Sequence, residues 1–354
     1  CDWSSDVCSS DLRKPGLLFV LGICTLLILS GCGNGGQSAA ETENNQNSGG
    51  TDGEKITIKL GHGAQLSHPL EEASQKFAEI VSEKTDGAVE VEVYGNTQLG
   101  EEREMVEGLQ LGTVDAAIVS TGPISGFVPE IGVVDLPFLF SSKEHAYEVL
   151  DGEIGQNLLD RFKEQGIVGL TFMENGWRHI TANKKIESPA DLEGLKIRTM
   201  ENDVHIAAFK ALGANPTPMA WGEVYTGLQQ GVIDGQENPI PIIYTNALWE
   251  VQDYTALTNH FYTPYVFLMS QATFDKLSEE QQQVVLDASK EVTQLQRELM
   301  AKASEEQIES LKEEGMEVYE VDTQPFKEAT KEVYEQFEDK FGKDLIQQIE
   351  EMGQ

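Results

Sequence analysis

Two hydrophobic periods take turns along this chain. The segment "KITIKLGHG", from Lys55, alternates apolar with polar residues and predicts a strand. In the next segment, "HPLEEASQKFAEIVSEKTDG", the period lengthens. Leu70, Ala73, Phe77, Ile80 and Val81 fall on one helical face, and the closing "TDG" stops the helix with glycine. "AVEVEVYG" returns to alternation, with Val89, Val91 and Val93 on one side, and a helix through "EEREMVEGLQLG" leads into a strand, "DAAIVS". Farther along, "GIVGLTFME", "GWRHITANKKI" and "LKIRTM" predict strands, whereas "DVHIAAFKALG" and "WGEVYTGLQQG" predict helices. From Ser278 to Gly315 runs a long charged helical stretch. It exceeds an ordinary globular helix and suits one that bends or crosses between domains. "MEVYEV" and two further helical segments close the chain.

This alternation predicts an α/β protein whose sheets are covered by helices. One internal echo bears on its division. "LQLGTVDAAIV" from Leu109 and "LQQGVIDGQEN" from Leu228 share L-Q-x-G-x-x-D at the same spacing. Each reads as a helix end, a terminating glycine and a strand that opens with aspartate. Two such units, about 120 residues apart, fit two similar α/β lobes built one after the other. Ligands of such lobes gather at strand C-terminal ends and helix N-termini, which is where Ser120 and Arg198 fall.

Composition changes the picture at the N-terminus. All four cysteines, Cys1, Cys8, Cys24 and Cys32, precede residue 33, so the globular part can form no disulfide and no cysteine metal site. Residues 1–12, "CDWSSDVCSSDL", carry three aspartates where a targeting segment would be basic, and are read as foreign to the native chain. Residues 13–31 have the order of a signal peptide: two basic residues, an apolar run from Leu17 to Leu29, then small residues. That run is short for a membrane span, which needs roughly 20 apolar residues. "LSGC" resembles the bacterial lipobox, which implies cleavage before Cys32 and lipid on its thiol. Residues 32–54, rich in Gly, Asn and Ser, cannot bury a core and predict a flexible tether.

Residues 55–354 suffice for two α/β domains. With 60 acidic against 25 basic residues, the chain lacks the basic surface that nucleic acid requires and that anionic lipid would attract. In such a chain "LEGLKIRTMEN", Leu192 to Asn202, raises a question, because it places Arg198 at the end of an apolar strand. An internal salt bridge or an external anion would accommodate that guanidinium. Catalytic signatures are missing: no H-E-x-x-H, no G-K-[ST] phosphate loop and no G-x-S-x-G elbow occurs. A G-x-G-x-x-G match at Gly31, Gly33 and Gly36 lies in the lipobox and tether, and the six histidines lack metal-ligand spacing. The expectation is a protein without catalytic residues, cofactor or metal.

Several blocks carry a family resemblance: "YGNTQLGEEREMVEGLQLGTVDAA", "GLKIRTMEN", "LGANPTPMAWGEVYTGLQQGVIDGQENP" and "VQDYTALTNH". They resemble the DctP-type extracytoplasmic solute-binding proteins of tripartite ATP-independent periplasmic (TRAP) transporters. The resemblance implies two periplasmic-binding-protein-like lobes, a long hinge-spanning helix and a ligand cleft between the lobes. It places lobe I at residues 55–175 plus about 264–303, and lobe II at 176–263 plus about 304–354. It implies capture of a small organic acid, with a sugar acid such as a uronate first and a C4-dicarboxylate second. Delivery is to TRAP membrane subunits driven by an ion gradient, by a lipid-anchored monomer outside the cytoplasmic membrane. Carried over by motif, the carboxylate-gripping arginine is Arg198 and a second arginine is Arg178 in "NGWRHIT". The asparagine of "QENP" is Asn238 and the aromatic wall is Trp221. Glu201, His260, Ser120 and His62 match positions near the ligand. Two other classes stay open: a binding component for a sensor kinase or ATP-driven importer, and a secreted sugar-acid enzyme.

Overall fold

The computed structural model describes residues Lys55 to Gly353, so the signal-like segment, Cys32 and the tether lie outside the described residues. β1 (Ile56–His62) leads to α1 (Pro69–Lys84), whose first turn is capped by His68 Nδ1 accepting the Leu70 N–H at 3.1 Å. The face expected from spacing is the buried one: Leu70, Ala73, Phe77, Ile80 and Val81, joined by Ser74. Phe77 meets Phe267 edge to face, 4.8 Å between ring centres, a contact worth about 0.5–1.5 kcal/mol beyond the area it buries. β2 (Val89–Tyr94), α2 (Glu102–Leu111) and β3 (Ala116–Ser120) complete a βαβαβ unit.

After α3 (Thr121–Ile124) come a 3-10 helix at Pro129–Asp135, α4 (Lys143–Asp151) and α5 (Glu153–Asp160). β4 (Ile167–Trp177) and β5 (His179–Ala182) follow. A second βαβαβ unit is made by β6 (Lys196–Thr199), α6 (Asp203–Ala211), β7 (Asn215–Pro218), α7 (Val224–Gln229) and β8 (Gly235–Asn238). Then come α8 (Ile240–Thr245), β9 (Tyr254–Leu257), β10 (Tyr262–Ser270), α9 (Gln271–Phe274) and α10 (Glu279–Glu313). β11 (Glu317–Glu320), α11 (Gln324–Ala329), α12 (Lys331–Phe341) and α13 (Lys343–Met352) end the fold.

The strands form two sheets, ordered β2-β1-β3-β10-β4 and β11-β9-β5-β8-β6-β7. In the first, β1 runs parallel to β2 and β3, and β10 antiparallel to β3. In the second, β6 runs parallel to β7 and β8, and β5 antiparallel to β8. Four strands of each sheet thus share one topology, and the echoed motif occupies the same place in both. Gly112 and Gly231 both take φ 69°, the left-handed turn in which glycine avoids a Cβ penalty. Two N–H groups then return to the carbonyl of Gly108 in one unit and of Gly227 in the other. The aspartate that follows reaches across to the neighbouring parallel strand. Asp115 accepts the Lys59 N–H at 3.0 Å, and Asp234 accepts the Lys196 N–H at 2.8 Å.

Three expectations from the sequence need correction. "GWRHITANKKI" is not one strand. β4 ends at Trp177 in the first sheet and β5 starts at His179 in the second, with Gly176 at φ 111° and the Arg178 N–H bonded to the Phe261 carbonyl between them. The helix expected at "WGEVYTGLQQG" opens as a 3-10 turn, Trp221–Glu223, before α7. Three helices rather than two follow β11, because Thr330 and Gly342 interrupt the run. The long charged stretch is a single helix of 35 residues, α10, capped by Ser278 and Gln281 in a capping box. It packs on α1 and β4 beside the first sheet and on α8 and β11 beside the second. No helix among the described residues is long and apolar enough to cross a membrane.

The aspartate clamps have a measurable weight. Asp115 also accepts the Thr273 hydroxyl at 2.6 Å, and hydrogen bonds to a charged group contribute about 1.5–3 kcal/mol. Asp115→Ala should therefore lower the melting temperature clearly. Asp234→Ala, with an acceptor 39% exposed, should lower it less. Circular dichroism melts of both variants check the order; equal or absent losses would show that the clamps do not hold the strand pairs.

Candidate ligand-binding site

The C-terminal ends of β3, β6 and β8 face a narrow cavity between the two sheets. From the first sheet's side it is lined by Ala64, Glu101, Glu102, Ser120, Asn175 and Tyr265. From the second sheet's side come Arg198, Met200, Trp221, Asn238 and Ile242.

Arg198 is 4% exposed. Its Nε and Nη2 both donate to the Met219 carbonyl, at 2.9 and 2.6 Å, and its guanidinium carbon lies 5.5 Å from the centre of the Trp221 ring. No carboxylate among the described residues lies within ion-pair distance of it, and Nη1 makes no hydrogen bond to them. The internal salt bridge that the sequence left open is not what holds this residue. Burial, offset in part by the Glu237 carboxylate, brings its pKa down to about 10, so it stays charged at neutral pH.

Opposite stands Glu102. One of its oxygens accepts both the Ser120 N–H at 2.7 Å and the Ser120 hydroxyl at 2.8 Å. Burial raises its carboxyl above the usual range, against those two bonds and the Arg198 charge. Asn175, on β4, carries a buried carbonyl oxygen with no hydrogen-bond partner among the described residues. Asn238 donates to Gln236 Oε1 at 2.6 Å. Burial, with Glu102 nearby, pushes the Tyr265 phenol up. The wall therefore combines one unpaired cation, two carboxylates (Glu101 and Glu102), amides, a phenol and an indole face.

Residues 60–340 match the family described as bacterial extracellular solute-binding protein, family 7, or DctP. The chain belongs to this family. The fold superimposes with a TM-score of 0.82 on a TRAP periplasmic solute-binding protein from Polaromonas sp. JS666 bound to D-erythronate. That protein is 41% identical, and the match covers 84% of this chain and 98% of that one. The sugar acid binding protein DctPAm of Advenella mimigardefordensis, in complex with galactonate, gives a TM-score of 0.82 at 38% identity, over 85% of this chain and 99% of that one. A TRAP periplasmic solute-binding protein from Sulfurospirillum deleyianum with bound succinate gives 0.80 at 37% identity, over 83% and 98%.

Of the positions singled out by resemblance to these solute-binding proteins, Arg198, Asn238, Trp221 and Ser120 meet in the cavity wall. The other four lie elsewhere. Arg178, 1% exposed, is committed to Glu237: its Nε pairs with Oε2, and Nη2 donates to Oε1 at 2.9 Å and to the Glu237 carbonyl at 2.6 Å. His260 joins the same carboxylate at 3.3 Å and faces Thr258 Oγ1 at 2.7 Å. Burial pushes Glu237 up, but the Arg178 charge and the bonds from His260 and Arg178 outweigh it and hold the carboxyl well below the usual range. His62 is fully buried and pairs with Glu71 at 2.9 Å. Glu201 is exposed, because the chain turns after Thr199 so that Met200 faces the cavity and Asn202 caps α6. The sequence reading did not single out Glu102, Asn175 or Tyr265. Glu102 stands in a run of acidic residues that looks like solvated surface, and only the cavity distinguishes it.

The two arginines of the DctP-type site should respond differently to mutation. Removing one member of a buried pair costs about 3–5 kcal/mol, so Arg178→Met should lower the melting temperature sharply by stranding Glu237. Arg198→Met breaks no ion pair and should melt close to the unmutated protein. Thermal melts without added ligand check this, and equal destabilisation by both would contradict the assignment of Arg178 as a brace.

Proposed function

We propose that this protein captures a small organic acid outside the cytoplasm and delivers it to the membrane subunits of an ion-gradient-driven TRAP transporter. The observation that carries this reading is the buried Arg198 guanidinium, which has no carboxylate partner among the described residues. A guanidinium offers paired donors in the plane of a carboxylate, and a site shielded from water strengthens that bond. Trp221 supplies an apolar face for the carbon skeleton, while Asn175 and Asn238 supply amide partners. Glu102 favours a sugar acid over a dicarboxylate, because it accepts ligand hydroxyls and repels a second carboxylate. Arg178 offers no relief, being taken up by Glu237. The relatives that hold D-erythronate and galactonate support a sugar acid, and the one that holds succinate makes a C4-dicarboxylate the second reading. We place the lobes at residues 55–175 with 264–303 and at 176–263 with 304–354, closing over ligand by hinge bending at their crossings.

Calorimetry against uronates, aldonates, succinate, malate and neutral sugars tests the clamp. Truncating one member of a buried charged pair costs about 2–5 kcal/mol, or roughly 30-fold to several thousandfold in affinity. Arg198→Ala should lose binding by that amount with its circular dichroism unchanged. Arg198→Lys keeps the charge but not the planar fork, and should also bind more weakly. Glu102→Gln should weaken the sugar acid and strengthen succinate. A neutral sugar that binds as tightly as its acid, or Arg198→Ala that binds normally, would sink the reading.

Attachment to the membrane belongs to the same proposal. Cleavage before Cys32 would leave a lipidated cysteine on a polar tether, and a single lipid chain anchors only marginally, so a multiply acylated cysteine is expected. Expression of the native precursor and of Cys32→Ala, followed by fractionation, should move the protein from membrane to soluble fraction. Equal release of both would refute the anchor.

A further inference from the structure

Beside the cavity lies a polar cluster that ligand contact does not explain. Asp135, fully buried, ends the 3-10 helix that follows α3. Its Oδ1 accepts the Thr121 hydroxyl at 2.7 Å and its Oδ2 accepts the Asn202 amide at 2.8 Å. No lysine or arginine among the described residues pairs with it; the nearest cationic candidate is His205, 3.8 Å away. Thr121 is the residue after Ser120, and Asn202 comes two after Met200, so the carboxylate ties together the chain immediately behind both walls of the cavity. Asn202 also caps α6, its Oδ1 accepting the N–H groups of Val204 and His205 at 2.8 and 3.1 Å. Close approach accompanies the bond. A Cβ added at Gly122 would lie 2.7 Å from Met200 Cε and 3.0 Å from Met200 Cβ, and the φ of Gly122 is not in the left-handed region. The glycine is there for clearance between the two walls rather than for its backbone.

We propose that Asp135 and Asn202 form a latch that holds the lobes closed over a bound ligand, with Gly122 as the clearance that lets it engage. This rests on the proposed capture of an organic acid in the cavity. A buried carboxylate with neutral donors keeps its bonds only while both walls are in place. Opening the cleft separates Thr121 from Asn202 and releases at least one of them to water. The latch therefore acts on the lifetime of the closed state, and on affinity through dissociation, without touching the ligand.

The test uses exchanges that preserve the cap. Aspartate caps a helix as well as asparagine does, so Asn202→Asp keeps α6 while setting a second carboxylate against Asp135. D-galactonate and D-erythronate are the probes, with dissociation followed by stopped-flow fluorescence and compaction by small-angle scattering. Asn202→Asp should speed dissociation by about tenfold or more, the equivalent of losing one buried hydrogen bond, and give a less compact particle at saturation. The double exchange Asp135→Asn with Asn202→Asp restores a donor–acceptor pair and should recover most of both effects. Gly122→Ala should act in the direction of Asn202→Asp. If the unmutated protein binds neither of these acids nor any uronate, succinate or malate, or binds acids without need of Arg198, the functional reading fails and the latch with it. If Arg198-dependent binding persists but Asn202→Asp dissociates at the unmutated rate, or the double exchange gives no recovery, the latch alone is wrong.

Discussion

A guanidinium buried without a counter-ion sets the terms for everything around it. An isolated charge out of water is costly unless polar groups or an opposite charge compensate it. Here the protein supplies only partial compensation to Arg198: one backbone carbonyl, from Met219, the face of Trp221, and the Glu237, Glu102 and Glu101 carboxylates from beyond ion-pair distance. Two of those carboxylates are engaged elsewhere. Glu237 is held by Arg178 and His260, and Glu102 receives two bonds from Ser120. Each of these commitments keeps a negative group off Arg198, so that an anion from outside meets a charge that is still under-compensated.

The same commitments tie the site to the parts of the fold that connect the sheets. Arg178 is the single residue between β4 of the first sheet and β5 of the second. Its pairing with Glu237, on β8, fixes that crossing to the strand whose last residue, Asn238, lines the cavity. On the other side, Glu102 opens α2 and bonds to the last residue of β3. Two copies of one βαβαβ plan, each with its aspartate clamp at the strand start, thus present their strand ends to a shared space. The clamp sits at the opposite end of each strand from the cavity, so it sets the register of the wall without entering it.

How much of this was legible in the sequence follows from how local each cause is. The buried face of α1 is a matter of spacing within one segment, and residues 70 to 81 declared it. The repeated L-Q-x-G-x-x-D was legible as helix, turn and strand for the same reason, although its aspartate's partner, a backbone N–H on another strand, was not. β10 escaped notice because "YTPYVFLMS" is buried along its whole length and so has no alternation to read. The break at Arg178 was hidden inside an apparently continuous strand, since the change of sheet depends on Phe261, more than eighty residues later. Within the site, Arg198, Asn238, Trp221 and Ser120 came from motif resemblance. Glu102, Asn175 and Tyr265 come from α2, β4 and β10, and nothing in one segment reports that these three elements converge. Glu201 shows the opposite failure: a polar residue three positions after Arg198 looked available, but the cap on α6 turns it to solvent.

For an acidic protein, the proposed uptake of an anion poses an electrostatic problem that this geometry answers. The full chain carries a formal charge of −35, which by itself would repel the ligand. Surface carboxylates are solvated, however, and at physiological ionic strength their field decays over about 8 Å. Inside the cavity screening is weaker, and the Arg198 guanidinium has no ion-pair partner among the described residues. The long-range field therefore affects how often an anion arrives, while the local field decides whether it stays. Under the proposed function that local field is also selective. With Glu102 set across from Arg198, one carboxylate end is attracted and a second is opposed, unless hydroxyls rather than charge meet Glu102. In the proposed function, affinity for acids and discrimination among them thus arise from one arrangement, a cation the fold leaves without an ion-pair partner and a carboxylate in the same cavity wall.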